Sequence, residues 1–229
     1  MNNTIKRPSI FLNLTEIFRA MFQLMRGYFY LNRMPKSAIG KGKPVLVIPG
    51  LLSTDRATAL LRKSLSKQGY EVSGWEMGMN RGRMESIPPL IEKLEKMQTK
   101  YNQKVIVIGW SMGGIFAREI TKLRPELVSK VVTIGSPFAD VNAPNNAKWA
   151  YELLNKGVVV DEKFMAQLPV PAPVPTLAMY SKSDGIVPWE ACRELLEDEN
   201  HTNMEIFSSH LGMGVNPDVM QKVAAFLKK

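Results

Sequence analysis

Ser111 lies in the run Lys104-Val105-Ile106-Val107-Ile108-Gly109-Trp110-Ser111-Met112-Gly113-Gly114, a G-x-S-x-G frame behind four β-branched residues. The helical pattern Ile115-Phe116-Ala117-Arg118-Glu119-Ile120 follows at once. Strand, sharp turn and helix around one serine make a nucleophile elbow, which presents the hydroxyl at the carboxyl end of the strand. Glycines at 109 and 113 suit that turn, because side chains there would collide with the neighbouring helix and strand. A serine hydroxyl is a poor nucleophile at neutral pH. It needs a base to take its proton and a carboxylate to hold that base in the useful tautomer.

The chain has two histidines. His210 follows the expected strand Met204-Glu205-Ile206-Phe207 after Ser208-Ser209, where a residue at a strand's carboxyl end should be, and is the expected base. His201 precedes that run, so it is expected as a surface residue at the opposite edge of the sheet, roughly 15–20 Å away at about 3.3 Å per residue. Asp184, in Tyr180-Ser181-Lys182-Ser183-Asp184-Gly185, comes directly after an apolar strand pattern and is the expected carboxylate. Asp140, Asp161 and Asp198 compete with it, and Asp-Gly is also an ordinary turn dipeptide. The chain order Ser111, Asp184, His210 is the one a strand–elbow–helix architecture calls for.

Acyl transfer also needs donors for the tetrahedral oxyanion, each worth about 3 to 4 kcal/mol in the transition state. The backbone N–H of Met112 is one candidate. The N–H of Leu51, in Ile48-Pro49-Gly50-Leu51-Leu52-Ser53 after the first strand, is the other. Leu52 and Trp110 are expected to contact substrate, and with Leu51 and Met112 they favour a hydrophobic acyl group over a sugar or a charged ligand.

The positioning elements follow from periodicity. From residue 44 onward β-branched runs alternate with helical patterns: strands are predicted at 45–48, 71–75, 105–108, 131–134, 176–180 and 204–207, and helices at 55–68, 85–100, 114–123, 189–197 and 216–228. The fold class is α/β, a mainly parallel sheet of about six strands with helices on both faces and the site outside the strand carboxyl ends. Residues 44–229 read as one domain. The interval 136–175 is too long for a plain crossover. It holds helical patterns near 146–154 and 161–168 and then the stiff return Pro169-Val170-Pro171-Ala172-Pro173-Val174-Pro175, and is either a short cap or an ordinary helical excursion.

The charge of +9 is concentrated in residues 1–43, where eight basic residues face the single acid Glu16. A nearly balanced domain behind a basic arm with no recognition motif argues against nucleic acid and toward anionic lipid or a partner surface. Phe11, Leu14, Phe18, Met21, Phe22, Met25 and Phe29 recur at helical spacing within an arc of about 100°. Glu16, Arg19, Gln23 and Arg26 fall opposite and interrupt any run long enough for a signal peptide or a membrane span. Two settings fit this stripe: a helix lying in a membrane interface through residues 9–31, or a helix packed on the domain or on a second subunit. The lack of a cleavable signal and the basic arm place the expected location in the cytoplasm, including the inner face of a membrane. Cys192, the single cysteine, reads as a packing residue on a helix. Metal cluster, phosphate loop and nucleotide fingerprint are all missing from the motifs, so neither metal nor other cofactor is expected.

Pro49-Gly50-Leu51, Gly109-Trp110-Ser111-Met112-Gly113-Gly114, Gly135-Ser136-Pro137, Asp184 and His210 together resemble the α/β-hydrolase superfamily, and within it the lipase-like bacterial esterases, over residues 44–229. That resemblance implies a Ser-His-Asp site, no cofactor, and small-molecule ester or thioester substrates chosen by a cap. Two departures point away from triglyceride lipase activity: Trp110 in place of the histidine usual before the nucleophile, and Phe138 after Ser136-Pro137 where lipases commonly carry histidine and glycine. The same acyl-enzyme could serve an acyltransferase, and the same fold a noncatalytic binding module.

Overall fold

The computed structural model describes residues 5–157 and 161–228. Helices α1 (Ile10–Leu14) and α2 (Glu16–Arg33) precede β1 (Pro44–Ile48), α3 (Ala59–Lys67), β2 (Glu71–Ser73), α4 (Ile87–Tyr101), β3 (Val105–Trp110) and α5 (Met112–Leu123). Then come β4 (Val128–Ile134), α6 (Lys148–Leu154), α7 (Glu162–Gln167), β5 (Thr176–Tyr180), β6 (His201–Glu205) and α8 (Pro217–Lys228). The six strands form one sheet in the order β2-β1-β3-β4-β5-β6, and every pairing is parallel. Strand order reverses between β1 and β3, so the carboxyl ends of those two strands open a crevice.

Strands β1, β3 and β5 are buried at every residue, which is why they read as unbroken apolar runs rather than alternating ones. Along β3, Ile106, Ile108 and Trp110 pack with Leu61 and Leu65 of α3 and Val219 and Val223 of α8. Val105 and Val107 point the other way, to Leu90 and Leu94 of α4 and Phe116 and Ile120 of α5. Each such side chain removed from water contributes about 1.5–3 kcal/mol, and the two-sided burial fixes the register of β3 beneath the elbow.

Several predicted elements differ from the observed ones: β4 begins at Val128 rather than at residue 131, and the predicted helix 55–68 starts as a 3-10 turn over Asp55–Thr58. Strand β2 stops at Ser73 because the Asp55 carboxylate accepts hydrogen bonds from the backbone of Trp75 (2.8 Å) and Glu76 (2.9 Å) and draws the chain off β1. Strand β6 begins at His201 rather than residue 204; it is an edge strand, so the polar His201-Thr202-Asn203 pairs with Thr176–Ala178 although it carries no apolar signal. The predicted helix 189–197 is only a 3-10 turn, Trp189–Cys192. Beyond it Asn203 accepts from the backbone N–H of Glu194 and donates to its carbonyl, while the Glu194 carboxylate turns inward to the buried guanidinium of Arg118. Cys192 is buried as a packing residue, in that turn and not on a helix.

The arm is helical, but its seating inverts the usual rule. Helix α2 packs against α3 and α8, and the residues it buries are Glu16, Gln23, Gly27 and Leu31. A Cβ at Gly27 would stand 2.0 Å from the carbonyl oxygen of Val215, so glycine is what lets the helix approach this closely. At its end, the Lys67 ammonium donates to the carbonyls of Leu31 (2.7 Å) and Met34 (2.9 Å), as a cation at a helix carboxyl terminus should. The apolar stripe faces outward. Among the described residues no helix is long and apolar enough to cross a membrane.

Candidate active site

Ser111 sits between β3 and α5 with φ 53° and ψ −123°, a conformation that L-residues adopt only when the surroundings enforce it. Its N–H donates to the carbonyl of Ile134 at 2.8 Å. A Cβ at Gly109 would lie 2.2 Å from the carbonyl oxygen of Gly113, and one at Gly113 would lie 2.3 Å from that of Ile48. The turn therefore closes only with glycine at both places.

His210 and Asp184 come to this serine from the ends of β6 and β5. The His210 Nε2 lies 3.0 Å from Ser111 Oγ, and its Nδ1 lies 2.6 Å from Asp184 Oδ2. The other Asp184 oxygen accepts from the backbone N–H groups of Ile186 and Val187, both at 2.8 Å, which fixes the carboxylate. Burial disfavours the imidazolium of His210, but the charge and hydrogen bond of Asp184, with the charge of Glu16, prevail and hold the group above its ordinary pKa. The competing acids are engaged elsewhere: Asp140 with the N–H of Asn142, Asp161 as the cap of α7, and Asp198 with His201. His201 lies at the far end of β6 as the spacing predicts, but it is not simply a surface residue. Its Nε2 lies 2.9 Å from the carbonyl of Ala172, so it pins the proline-rich return to the sheet.

Leu51 and Met112 flank the serine. A Cβ on Gly50 would lie 3.1 Å from that of Ser111, so the loop after β1 runs directly past the nucleophile. Met112, the first residue of α5, has no acceptor for its N–H within its own helix. Both side chains line a cavity of about 330 Å³ that also contains Ser111. Its wall is mainly apolar, with Ile115 and Val187 from the body and Val141, Tyr151, Phe164, Met165 and Leu168 from the 136–175 segment.

Trp110 and Leu52, expected to contact substrate, do not line this cavity. Trp110 is a β3 residue whose side chain the pleat directs to the α3 and α8 face; its indole N–H donates to the His210 carbonyl at 3.2 Å, so it supports the histidine loop from behind. Leu52 has a positive φ of 57°, its N–H donates to the carbonyl of Asn80, and its side chain is exposed to solvent away from the cavity.

Glu16 joins the site from the arm, with no motif around it to mark that role. Buried at 2% exposure, it reaches from α2 into the site's loops: Oε1 accepts from the N–H groups of Gly185 (2.8 Å) and His210 (3.0 Å), and Oε2 from that of Leu211 (3.0 Å). Arg19 completes the clasp, bonding Glu16 at 2.9 Å and the Ser183 carbonyl at 2.7 Å. Gln23 accepts from the hydroxyls of Ser208 and Ser209. One helix thus holds both the Asp184 and the His210 loops. The available signal was the lone acid of a strongly basic arm.

An all-parallel sheet reversing at β1 and β3, with a serine elbow in the crevice, defines the class: the chain has the α/β-hydrolase fold. The family described as PGAP1-like alpha/beta domain matches residues 82–163, a span that includes the elbow but neither Asp184 nor His210. No curated protein matches the chain in sequence. Similar solved structures include one from a study of two metagenome-derived lipolytic enzymes, LipS and LipT (TM-score 0.63, 14% identity, covering 85% of this chain and 95% of that one). An esterase of Pyrococcus furiosus is similar at TM-score 0.60 and 19% identity, over 83% of this chain and 84% of its own. A monoacylglycerol lipase of Paleococcus ferrophilus follows at 0.56 and 16%, over 82% and 96%.

Proposed function

We infer that this protein is a serine hydrolase of hydrophobic carboxylic esters. The observation that carries the reading is the unbroken relay from Asp184 through His210 to Ser111, at 2.6 and 3.0 Å, opening on an apolar cavity. In this mechanism Ser111 Oγ attacks the ester carbonyl while His210 Nε2 takes its proton. Asp184 keeps the Nδ1–H tautomer and stabilises the imidazolium. The N–H groups of Leu51 and Met112 receive the oxyanion. His210 then returns the proton to the departing alcohol, and a water activated by the same nitrogen frees the acyl group from Ser111.

The cavity is at the small end of the range for ligand sites, about 300–1,000 Å³, which favours acyl groups of short to medium length. Lipolytic and esterase activities named for structures of the same fold support the choice of reaction class. Hydrolysis of p-nitrophenyl esters from acetate to palmitate, by wild type and Ser111→Ala side by side, tests it. The wild type should show turnover with an optimum below palmitate, and Ser111→Ala none. Equal turnover by the two proteins would overturn the reading.

A further inference from the structure

Half of the large hydrophobic side chains exposed among the described residues lie between Ile10 and Phe29. On α2 they sweep one broad arc, with Phe18 75% exposed and Phe22 and Phe29 each 56%. A face this apolar on a protein surface marks a contact with something apolar. Along one margin of the arc run Arg19, Arg26 and Arg33, the last two exposed. Exposed Lys6, Arg7 and Lys36 lie just before and after the helices.

The patch does not end with the arm. Asn146 Nδ2 donates to the Pro8 carbonyl at 3.4 Å, and a cleft between Arg7 and Asn13 on one side and Lys148 and Trp149 on the other joins the arm to α6. Trp149 (67% exposed) and Leu153 (71%), one helical turn apart, extend the apolar surface onto α6. Asn145, Lys148 and Glu152 line both that cleft and the cavity above Ser111, so this surface borders the cavity.

We propose that the outer faces of α1, α2 and α6 form a docking surface for an anionic lipid bilayer, with Phe18, Phe22, Phe29 and Trp149 entering the headgroup–acyl boundary and Arg26 and Arg33 against lipid phosphates. Charge selects this occupant. A second copy of the chain would bring another strongly basic arm, eight basic residues against one acid, to the same contact, whereas an anionic leaflet is complementary to that charge. Helix α2 is already anchored through its polar face, so binding costs no folding of the arm.

The test is co-sedimentation of the full chain with vesicles of phosphatidylcholine alone or with phosphatidylglycerol added, at low and high salt, alongside tryptophan fluorescence. It reads binding without any turnover, so it stands or falls separately from the ester hydrolase reading. The protein should partition onto the phosphatidylglycerol vesicles, less so at high salt, with a blue shift that Trp149→Phe removes. Phe18→Ser should weaken partition about tenfold or more, and Arg26→Glu about fivefold or more. Both side chains are exposed, so circular dichroism of the variants should match wild type. No partition by folded protein at low salt would overturn the proposal. So would a dimer in light scattering that Phe18→Ser dissociates while vesicle binding is absent.

Discussion

Helices α5 and α2 are both amphipathic, yet they are seated in opposite ways. Helix α5 turns Ile115, Phe116, Ala117 and Ile120 onto the sheet, whereas α2 turns Glu16, Gln23 and Gly27 onto the body and leaves Ile17, Phe18, Met21 and Phe22 in solvent. What differs is the surface beneath each helix. Under α5 lie the apolar side chains of β1 and β3, which only an apolar face can cover. Under α2 lie loop N–H groups at Gly185, His210 and Leu211 and the hydroxyls of Ser208 and Ser209, which would be buried without acceptors if an aromatic face replaced Glu16 and Gln23. Periodicity tells that a helix has two faces. Hydrogen-bond accounting decides which one meets the protein.

If the two proposals hold, α5 carries chemistry and core stability, while α2 carries loop geometry and surface affinity. The largest effect should come from the relay that α5 presents. Asp184→Asn should lower kcat/KM for a p-nitrophenyl ester by about 10⁴, or about 5.5 kcal/mol in the barrier, because the amide no longer selects the useful tautomer of His210. Steady-state kinetics decide this. Retained activity would mean that the base is oriented by something other than Asp184.

Next in size is the core under α5. Phe116 is fully buried, stacked with Trp75 at 6.4 Å between ring centroids. Phe116→Ala should cost about 3–5 kcal/mol of folding stability in denaturant titration. A loss below about 1 kcal/mol would show that this face of α5 repacks freely, and would weaken the contrast with α2.

How much of this could be read beforehand follows the same division. Val105 to Ile108 and Gly109 to Gly113 were legible because an elbow demands both a buried strand and glycines, and each demand leaves a residue-type signature. His210 and Asp184 were legible because strand ends carry them. Leu52 and Trp110 misled because apolar character does not say which way a side chain points: the pleat of β3 takes Trp110 behind the histidine, and the positive φ of Leu52 turns it outward. The start of β6 was hidden because an edge strand pairs through backbone and tolerates His201-Thr202-Asn203. The orientation of α2 depended on loop N–H groups nearly two hundred residues away, which no local pattern reports.

Glu16 is where the two helices' roles meet, and its removal should have an intermediate effect. Glu16→Gln keeps one oxygen but loses the charge and the other acceptor oxygen, so the three backbone donors of Gly185, His210 and Leu211 can no longer all be satisfied, a change of about 1–3 kcal/mol per charged hydrogen bond lost. Both kcat/KM and stability should fall. A pH profile separates loop positioning from general damage. In the proposed mechanism activity needs neutral His210, whose pKa is held above its ordinary value of about 6.5 by Asp184 and in part by Glu16, so the acid limb of kcat/KM should move to lower pH in the variant. A limb that stays in place while activity drops would show that Glu16 braces the fold without acting on the histidine.

The smallest expected effect is the most diagnostic of the comparison. Phe18 is 75% exposed on the outer arc of α2, so Phe18→Ala should change folding stability by no more than about 0.5 kcal/mol, against the several expected for Phe116→Ala on α5. The measurement is the pair of denaturation midpoints, taken in dilute buffer without lipid. Near-identity of Phe18→Ala with wild type would mean that the aromatic stripe contributes nothing to the isolated chain, leaving affinity for an external surface as its physical consequence. A loss comparable to that of Phe116→Ala would instead place Phe18 in a packed interface in solution. A second copy of the chain would then be covering α2, and the loss should shrink as protein concentration is lowered toward the dissociation of that pair.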